Sequence, residues 1–363
     1  MTGRDFFIDT DETLSQFLAT IARNHLVALD TEFVREKTYY PKFCLIQIAS
    51  PKFVGCVDCL AGVDLAPLFD FLFDSERAWV LHSARQDLEV IYQAAERVPH
   101  ELIDTQIAAA LLGHPSQIGL GDLLSAVLDV NLEKGYARTD WSRRPLPDPA
   151  LRYAFDDVRH LLPLWERLRS ALENLGRLGW FEEDCRAALA TPPLTPPTAL
   201  WARLRGRGSL ELRSQCAALA LVRWRERCAQ TLDRPRRWIL SDDLLLRIAR
   251  SLPRNVDALK SIPEIPCRLA ERWGTDILSS LEDCDRPETR EVVSAHANGG
   301  RPDKKTLQEL QERVRRRADE LGIQAEILAT RKELGELITG RSAERSTTGW
   351  RWVELEPLLS ATA

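Results

Sequence analysis

Four carboxylates and one tyrosine in the first half of the chain are the residues whose types and spacing could do chemistry. They are Asp30 and Glu32 in LVALDTEF, Asp87 in WVLHSARQDLEVI, and Tyr153 with Asp157 in YAFDDVRHL. Each carboxylate interrupts or follows an apolar run, where an unpaired charge is costly to bury. Hard divalent cations such as Mg²⁺ prefer oxygen ligands of this kind. If the three segments meet in the fold, they form a two-metal site that could hydrolyse phosphodiesters.

The spacing of these residues determines which side chains can point the same way. Asp30 and Glu32 are two residues apart, so on a strand they project from one face of the sheet. Tyr153 and Asp157 are four residues apart, so on a helix they share one face. Asp156 points about 100° away around the same helix and is not a candidate.

Each of these motifs also has a simpler interpretation when it is taken alone. An Asp-x-Glu pair can be a solvated turn at the end of a strand. Asp87 can simply cap the helix that follows it, because free N–H groups and the helix dipole favour an acid there. The motifs become specific only together, in the order strand, helix start and helix.

The elements that must position these residues form an α/β first half. Four short runs rich in β-forming residues predict strands: LVALDTEF, FCLIQIAS, FVGCVDCL and WVLHSA. Helices follow, including one long helix predicted over DPALRYAFDDVRHLLPLWERLRSALENLG, and Asp104 in LIDTQIA is expected to cap another. Strands first and helices afterwards indicate a mixed sheet flanked by helices.

Two breaks divide the rest of the chain. Four prolines in TPPLTPPT, residues 191–198, predict a stiff, extended spacer, and NGGRP at 298–302 predicts a second break. Everything beyond the first break has helical patterning. We therefore predict a catalytic domain at 1–190, a linker at 191–207, and helical domains at 208–290 and 300–363. A chain that ends near residue 200 is expected to keep its phosphodiester hydrolysis activity on short single-stranded substrates.

Composition and charge exclude some classes of protein. Hydrophobic residues make up 44% and charged residues 28%, as is typical of soluble globular proteins. The N-terminus does not have a basic region followed by an apolar core, and no uncharged apolar stretch reaches membrane-spanning length. We expect a cytoplasmic protein without membrane association. Eight scattered cysteines are then reduced thiols, and Cys56 with Cys59 fits a strand end better than zinc.

Net charge is distributed unevenly along the chain. The whole sequence carries −5, but residues 201–255 contain thirteen arginines, no lysine and five acids. A basic part joined to an acidic part fits capture of a polyanion by one and metal chemistry by the other. The simpler alternative is a solvated helical surface.

In combination, these strings resemble the DEDD 3′–5′ exonucleases, in the branch with tyrosine in the third motif, and within it the bacterial ribonuclease D family. The resemblance is carried by ALDTEFVREKTYYPKFCLIQIA, VLHSARQDLEVI, LIDTQIAAALLG, RTDWSRRPLP and YAFDDVRHLLPL, and covers about residues 25–170. It implies an α/β exonuclease domain with a ribonuclease H-like mixed sheet. The helical remainder resembles one good and one degenerate copy of the HRDC module (helicase and ribonuclease D C-terminal).

The resemblance also implies roles for the five residues. Asp30 would bridge two divalent cations, Mg²⁺ or Mn²⁺. Glu32 and Asp157 would complete the site that holds the attacking water, and Asp87 would serve the second cation. Tyr153 would position the nucleophile, and the product would be a nucleoside 5′-monophosphate. The substrate implied is RNA with a 3′ extension, with transfer-RNA precursors favoured, and we infer no obligate protein partner.

Six further residues in or near these strings could bind substrate, since aromatic rings stack on bases and arginines hold phosphates. They are His82, Tyr39, Tyr40, Trp141, Arg143 and Arg144. Packing or surface ion pairing would explain them equally well. Two alternative functions are a DNA 3′–5′ exonuclease and a non-catalytic nucleic-acid-binding protein in which the arginine-rich segment does the work.

Overall fold

A computed structural model describes residues 4–133, 135–136, 139–297, 302–341 and 344–360. Contacts between these residues define two compact units. Unit 1 comprises the described residues within Met1–Val34, Lys42–Pro193 and Arg301–Ala363. Unit 2 comprises Arg35–Pro41 and the described residues within Leu194–Gly300. Among all the residues that the structure describes, no helix is both long and apolar enough to cross a bilayer.

Unit 1 is built on a mixed sheet of six strands. In chain order they are β1 (Arg4–Ile8), β2 (Leu26–Val34), β3 (Lys42–Ala49), β4 (Phe53–Asp58), β5 (Ala78–Leu81) and β6 (Glu101–Asp104). Across the sheet the order is β1-β4-β3-β2-β5-β6. Of these strands, β3 runs antiparallel to both of its neighbours, and the other pairs are parallel. The mixed sheet predicted from the sequence is therefore confirmed.

Eight helices of unit 1 surround or follow the sheet. They are α1 (Asp11–Ile21), α2 (Ala66–Leu72), α3 (Arg85–Ala95), α4 (Thr105–Leu111), α5 (Leu120–Leu128), α6 (Asp148–Arg159), α7 (Leu161–Asn174) and α8 (Leu178–Ala190). The prediction of one long helix over 148–176 is wrong, because the chain breaks at His160 between α6 and α7. Pro163 has no N–H to donate to the carbonyl of Arg159, so it fits only the first turn of a new helix.

The two faces of the sheet bury different apolar clusters. Val27 and Leu29 of β2 belong to one cluster, while Ala28 belongs to the other. This alternation is what a strand covered on both faces requires. Helix α6 packs against β2, β3 and β4 and contributes Ala154 and Val158 to the cluster around Ala28. Asp30 and Glu32 share the face of Ala28, so they project toward α6.

Unit 2 is helical. Its helices are α9 (Pro197–Ala202), α10 (Leu212–Thr231), α11 (Arg236–Ile239), α12 (Asp242–Ser251), α13 (Val256–Lys260), α14 (Cys267–Glu282) and α15 (Pro287–Ala297). The proline-rich stretch is not extended throughout, because Pro197 begins α9 at a position where no N–H is needed. A buried cluster around α10 forms the core of this unit.

The last helices of the chain pack within unit 1. They are α16 (Lys304–Leu321), α17 (Ala325–Leu328), α18 (Arg331–Ile338) and α19 (Gly349–Ser360). Trp350 stacks on Trp180 of α8 with ring centroids 4.3 Å apart, and buried Arg351 pairs with Asp184. The domain boundaries predicted from the sequence, including a second HRDC-like domain at 300–363, stay predictions. The packing adds that this segment shares a compact unit with the sheet.

Candidate active site

Three carboxylates from two elements of unit 1 converge on one point. Asp30 and Glu32 project from β2, and Asp157 projects from α6. One oxygen from each side chain can be chosen so that all lie within 4.8 Å of one another. The register of β2 sets this arrangement, because Asp30 pairs with Gln47 and Glu32 with Leu45 on the central strand β3. The sheet thus presents both acids to the helix that covers them.

The fourth carboxylate, Asp87, reaches the cluster from the opposite side of β2. It lies in the first turn of α3, where Ala84 is the N-cap, so Asp87 is not itself the cap. Its Oδ1 accepts a hydrogen bond of 2.6 Å from the hydroxyl of Thr31, which lies between Asp30 and Glu32 in sequence. Asp87 also raises the pKa of both Asp30 and Glu32 by charge repulsion.

Burial raises the pKa of all four carboxylates. It raises the pKa of Asp30 well above its ordinary value, that of Glu32 to about 9, and those of Asp87 and Asp157 to about 7. After burial, the charges that add to these increases come from other carboxylates. A cluster of hard oxygen donors with mutual repulsion fits divalent cations such as Mg²⁺ or Mn²⁺.

Tyr153 lies one helical turn before Asp157 and hydrogen-bonds to it. Burial, followed by the charges of the neighbouring acids, raises the pKa of Tyr153, so its phenol stays protonated and can donate. The ring of Trp141 lies 6.3 Å from that of Tyr153, and Trp141 is fully buried. Trp141 is therefore placed to support the tyrosine ring from the protein interior.

His82 and Asp104 lie near the start of α3, but their side chains form hydrogen bonds with other groups of the protein. The ring nitrogens of His82 lie 2.9 Å from the hydroxyl of Thr105 and 2.9 Å from the carbonyl of Ile118. Burial lowers the pKa of His82, which favours the neutral ring. Asp104 caps α4, as the sequence predicted, and also accepts hydrogen bonds from the backbone N–H groups of Ser83 and Ala84.

The two neighbouring arginines have different environments. Arg144 forms a two-pronged ion pair with buried Asp58 and donates to the carbonyl of Cys44, so it ties the loop before α6 to the sheet. The side chain of Arg143 is exposed. Among the described residues, only Arg144 of this pair has an ion pair or side-chain hydrogen bond, so Arg143 is the arginine available to a phosphate.

Tyr39 and Tyr40 belong to unit 2. The hydroxyl of Tyr39 donates to Glu226 at 2.9 Å, while Asp233 accepts hydrogen bonds from the backbone N–H groups of both tyrosines. Tyr40 is 37% exposed, whereas Tyr39 is half-buried. The structure therefore brings together five of the predicted site residues: Asp30, Glu32, Asp87, Tyr153 and Asp157. Tyr39 instead hydrogen-bonds to Glu226 within unit 2.

Two residues of this region did not stand out in the sequence. Thr31 was hidden inside the Asp-x-Glu motif, although a hydroxyl residue between two acids could have suggested a partner for a third. Gln47 in CLIQIA faces Asp30 across the ladder, and a polar residue in an otherwise apolar strand was the available signal. The four carboxylates can hold cations, and the phenol can orient a water. A reaction that uses this water as the nucleophile needs no nucleophile from the protein.

A mixed sheet whose second strand and covering helix carry these groups defines a metal-dependent nuclease domain. A family model described as 3′-5′ exonuclease matches residues 6–173, and a model described as HRDC domain matches residues 217–281. Ribonuclease D of Xanthomonas oryzae pv. oryzae is 37% identical over 351 residues, which cover 94% of this chain and 95% of that one. Ribonuclease D of Gluconacetobacter diazotrophicus is 40% identical over 279 residues, covering 76% and 70%.

Among solved structures, the chain is similar to Escherichia coli RNase D, described as an exoribonuclease involved in structured RNA processing. The TM-score is 0.83 at 27% identity, with 99% of each chain covered. The chain belongs to the ribonuclease D family of 3′–5′ exoribonucleases. This family membership implies the use of divalent metal ions, which the carboxylate cluster fits.

Proposed function

We propose that Asp30, Glu32, Asp87 and Asp157 hold two divalent cations, Mg²⁺ or Mn²⁺, and that the site removes nucleoside 5′-monophosphates from RNA 3′ ends. The observation that carries this proposal is the convergence of Asp30, Glu32 and Asp157 within 4.8 Å beside Tyr153. Carboxylates that repel one another in a partly buried site are stabilised by cations and destabilised by their removal. The cytoplasmic setting expected from the sequence is part of this proposal.

The residues of the site would have different roles in cation binding and in positioning the water. When bound, the cations would supply the Lewis-acid chemistry that activates water at neutral pH and neutralises the scissile phosphate. Asp30 is repelled by both Asp87 and Asp157, so it would help to hold both cations. Glu32 and Asp157 would hold one cation, and Asp87 would hold the other. The protonated phenol of Tyr153, held by Asp157, orients the attacking water.

The substrate we propose is structured RNA with a 3′ extension, in particular precursor transfer RNA. The Escherichia coli relative is described as acting in structured RNA processing. Residues 201–255 of this chain, with thirteen arginines and five acids, offer the positive charge that a folded polyanion requires. Hydrolysis would occur in unit 1 and capture of folded RNA would be aided by unit 2.

The test uses the full chain and a precursor transfer RNA labelled at its 5′ or its 3′ end. Wild type with Mg²⁺ or Mn²⁺ should release mononucleotides stepwise from the 3′ end, and EDTA should stop the reaction. Asp30→Asn should lower the rate by at least about a thousandfold. Asp156→Asn is the matched control, because this acid lies on the same helix and is paired with Arg159. Full activity of Asp30→Asn would refute the proposal.

The same assay distinguishes the alternative substrate. A DNA oligonucleotide of matching sequence should be degraded more slowly than the RNA, since discrimination depends on contacts to the 2′-hydroxyl. Equal rates on both would favour a general 3′–5′ exonuclease. Binding of RNA without hydrolysis in either metal would favour a non-catalytic binding protein.

A further inference from the structure

Unit 2 contains a cleft of about 750 Å³ whose lining combines arginines with aromatic rings. The side chains that matter here are Arg203 beside α9, Arg225 and Arg236, Arg237 and Trp238 of α11, and Tyr39. Two acids, Glu36 and Asp242, also line the cleft, and Asp242 is paired with buried Arg225 at 2.7 Å. The lining therefore carries net positive charge.

Trp238 is the exposed aromatic side chain of this cleft. It is 60% exposed, although an indole of this size is usually buried. The guanidinium of Arg234 lies over this ring at 6.0 Å from its centroid, which adds positive charge next to the indole. A flat, accessible ring next to cations is the arrangement on which nucleic-acid bases stack.

The arginines of the cleft fall into two groups. Arg236 pairs with Glu226 and lies over the ring of Tyr39 at 4.9 Å, so it is committed to the protein, as is Arg225. Arg203 and Arg237 are exposed, and among the described residues neither guanidinium has an ion pair or side-chain hydrogen bond. These two cations are available to an anionic ligand.

We propose that this cleft binds a single-stranded stretch of the RNA substrate, with one base stacked on Trp238 and backbone phosphates at Arg203 and Arg237. The inference rests on the proposed function, because it supplies a second contact for the RNA that the carboxylate site hydrolyses. An acidic peptide would satisfy the arginines but has no flat face for the indole. Single-stranded RNA satisfies both.

The experiment measures binding of a labelled oligouridylate by fluorescence anisotropy in EDTA, where hydrolysis does not occur. Trp238→Ala should weaken binding by roughly fivefold to a hundredfold, and Trp238→Phe, which keeps a stacking ring, should recover most of the affinity. The double variant Arg203→Gln/Arg237→Gln should reduce the slope of log affinity against log salt by about 1.4. Unchanged affinity in Trp238→Ala would overturn the proposal.

A control variant outside the cleft and an acidic competitor test whether the cleft is specific for RNA. Arg268→Gln removes one exposed arginine of unit 2 that does not line the cleft, and it should leave affinity near that of wild type. Poly-glutamate should compete poorly, and strong competition that depends on Trp238 would assign the cleft to an acidic protein instead. If metal-dependent hydrolysis persists while Trp238→Ala binds normally, the cleft proposal fails and the proposed function stands.

A separate observation concerns Gln47. Its side chain is fully buried, and neither Nε2 nor Oε1 has a hydrogen-bond partner among the described residues. Gln47 pairs directly with Asp30 across β3 and β2, so both side chains project from the same sheet face, with Cβ atoms about 5 Å apart. An unpaired buried amide is destabilising, so its presence here requires a compensating role.

The geometry points to Gln47 as a positioning residue for Asp30, whose carboxylate would accept a hydrogen bond from Nε2 when the cations are bound. Partners of metal ligands of this kind affect metal affinity tenfold to a hundredfold. Gln47→Met keeps the volume and removes the amide. Titration calorimetry should show Mn²⁺ affinity lowered by about that factor, while the melting temperature in EDTA does not fall. Unchanged Mn²⁺ affinity would overturn this inference.

Discussion

The hydroxyl of Thr31 donates a hydrogen bond of 2.6 Å to Oδ1 of Asp87, and this bond joins β2 to the first turn of α3. Both side chains are buried. The bond lowers the pKa of Asp87, which burial alone would raise further. Thr31 thus favours the ionised form of an acid that is otherwise placed unfavourably.

Replacing Thr31 should therefore weaken both the fold and the metal site. In Thr31→Val the shape is kept and the donor is lost, so we expect the free energy of unfolding to fall by about 1–3 kcal/mol. Mn²⁺ affinity measured by calorimetry should fall as well, because the pKa of Asp87 rises. Thr31→Ser keeps the hydroxyl and should behave like wild type; equal losses in both variants would contradict this account.

Tyr153→Phe should separate catalysis from binding. The phenol holds a position beside Asp157 but contributes no charge, so its loss should lower kcat by roughly a hundredfold. The affinity for RNA, measured in EDTA, should stay close to that of wild type. A loss of affinity as large as the loss of kcat would indicate that the tyrosine binds substrate instead.

The acids of the site could be identified from the sequence because charges inside apolar runs are conspicuous and their spacings match strand and helix periods. The residues that pair with these acids could not be identified from the sequence. The role of Thr31 depends on the packing of α3 against β2, and that of Gln47 depends on the pairing of β3 with β2. Such contacts join residues that are distant in sequence, and no local pattern encodes the register between them.

The fold was predictable to a similar depth. Four of the six described strands lie in apolar runs rich in β-forming residues and stand out, including the four-residue β5. Strands β1 (RDFFI) and β6 (ELID) each contain two charged residues and were not predicted. The break at His160 was missed because apolar periodicity continues through it. Proline at position 163 was the local signal for this break, because proline disfavours the interior of a continuous helix and fits the first turn of a new one.

The metal-free protein should lose stability as the pH rises from about 4 to about 9. The pKa of Glu32 is raised to about 9 and those of Asp87 and Asp157 to about 7, so the folded state holds these protons more tightly than the unfolded state. Their stabilising contribution is complete below the unfolded pKa and is lost as the pH passes the folded pKa.

Cations should remove most of this pH dependence, because they bind the deprotonated carboxylates. Melting temperatures measured in EDTA and in saturating Mg²⁺ should diverge progressively toward about pH 9. Asp148→Asn, which removes an exposed acid from α6, should leave the divergence intact. Parallel curves with and without Mg²⁺ would show that the cluster does not bind the ion.

Trp350→Ala should destabilise the unit that contains the carboxylate site. Trp350 is 5% exposed, stacks on Trp180, and donates from Nε1 to Asp184 at 3.2 Å. We expect a loss of about 3–5 kcal/mol in the free energy of unfolding, measured by urea titration. Trp352→Ala is the control, because this neighbouring ring is only partly buried and should cost less.

This packing revises the expectation that a chain ending near residue 200 keeps its activity. Such a truncation removes Trp350 and Arg351. Because Arg351 forms a buried ion pair with Asp184 of α8, its loss would leave that acid unpaired. We now expect the truncated chain to melt at a lower temperature and to hydrolyse short single strands more slowly than the full chain. Wild-type stability and rate in the truncated chain would show that α8 does not need these contacts.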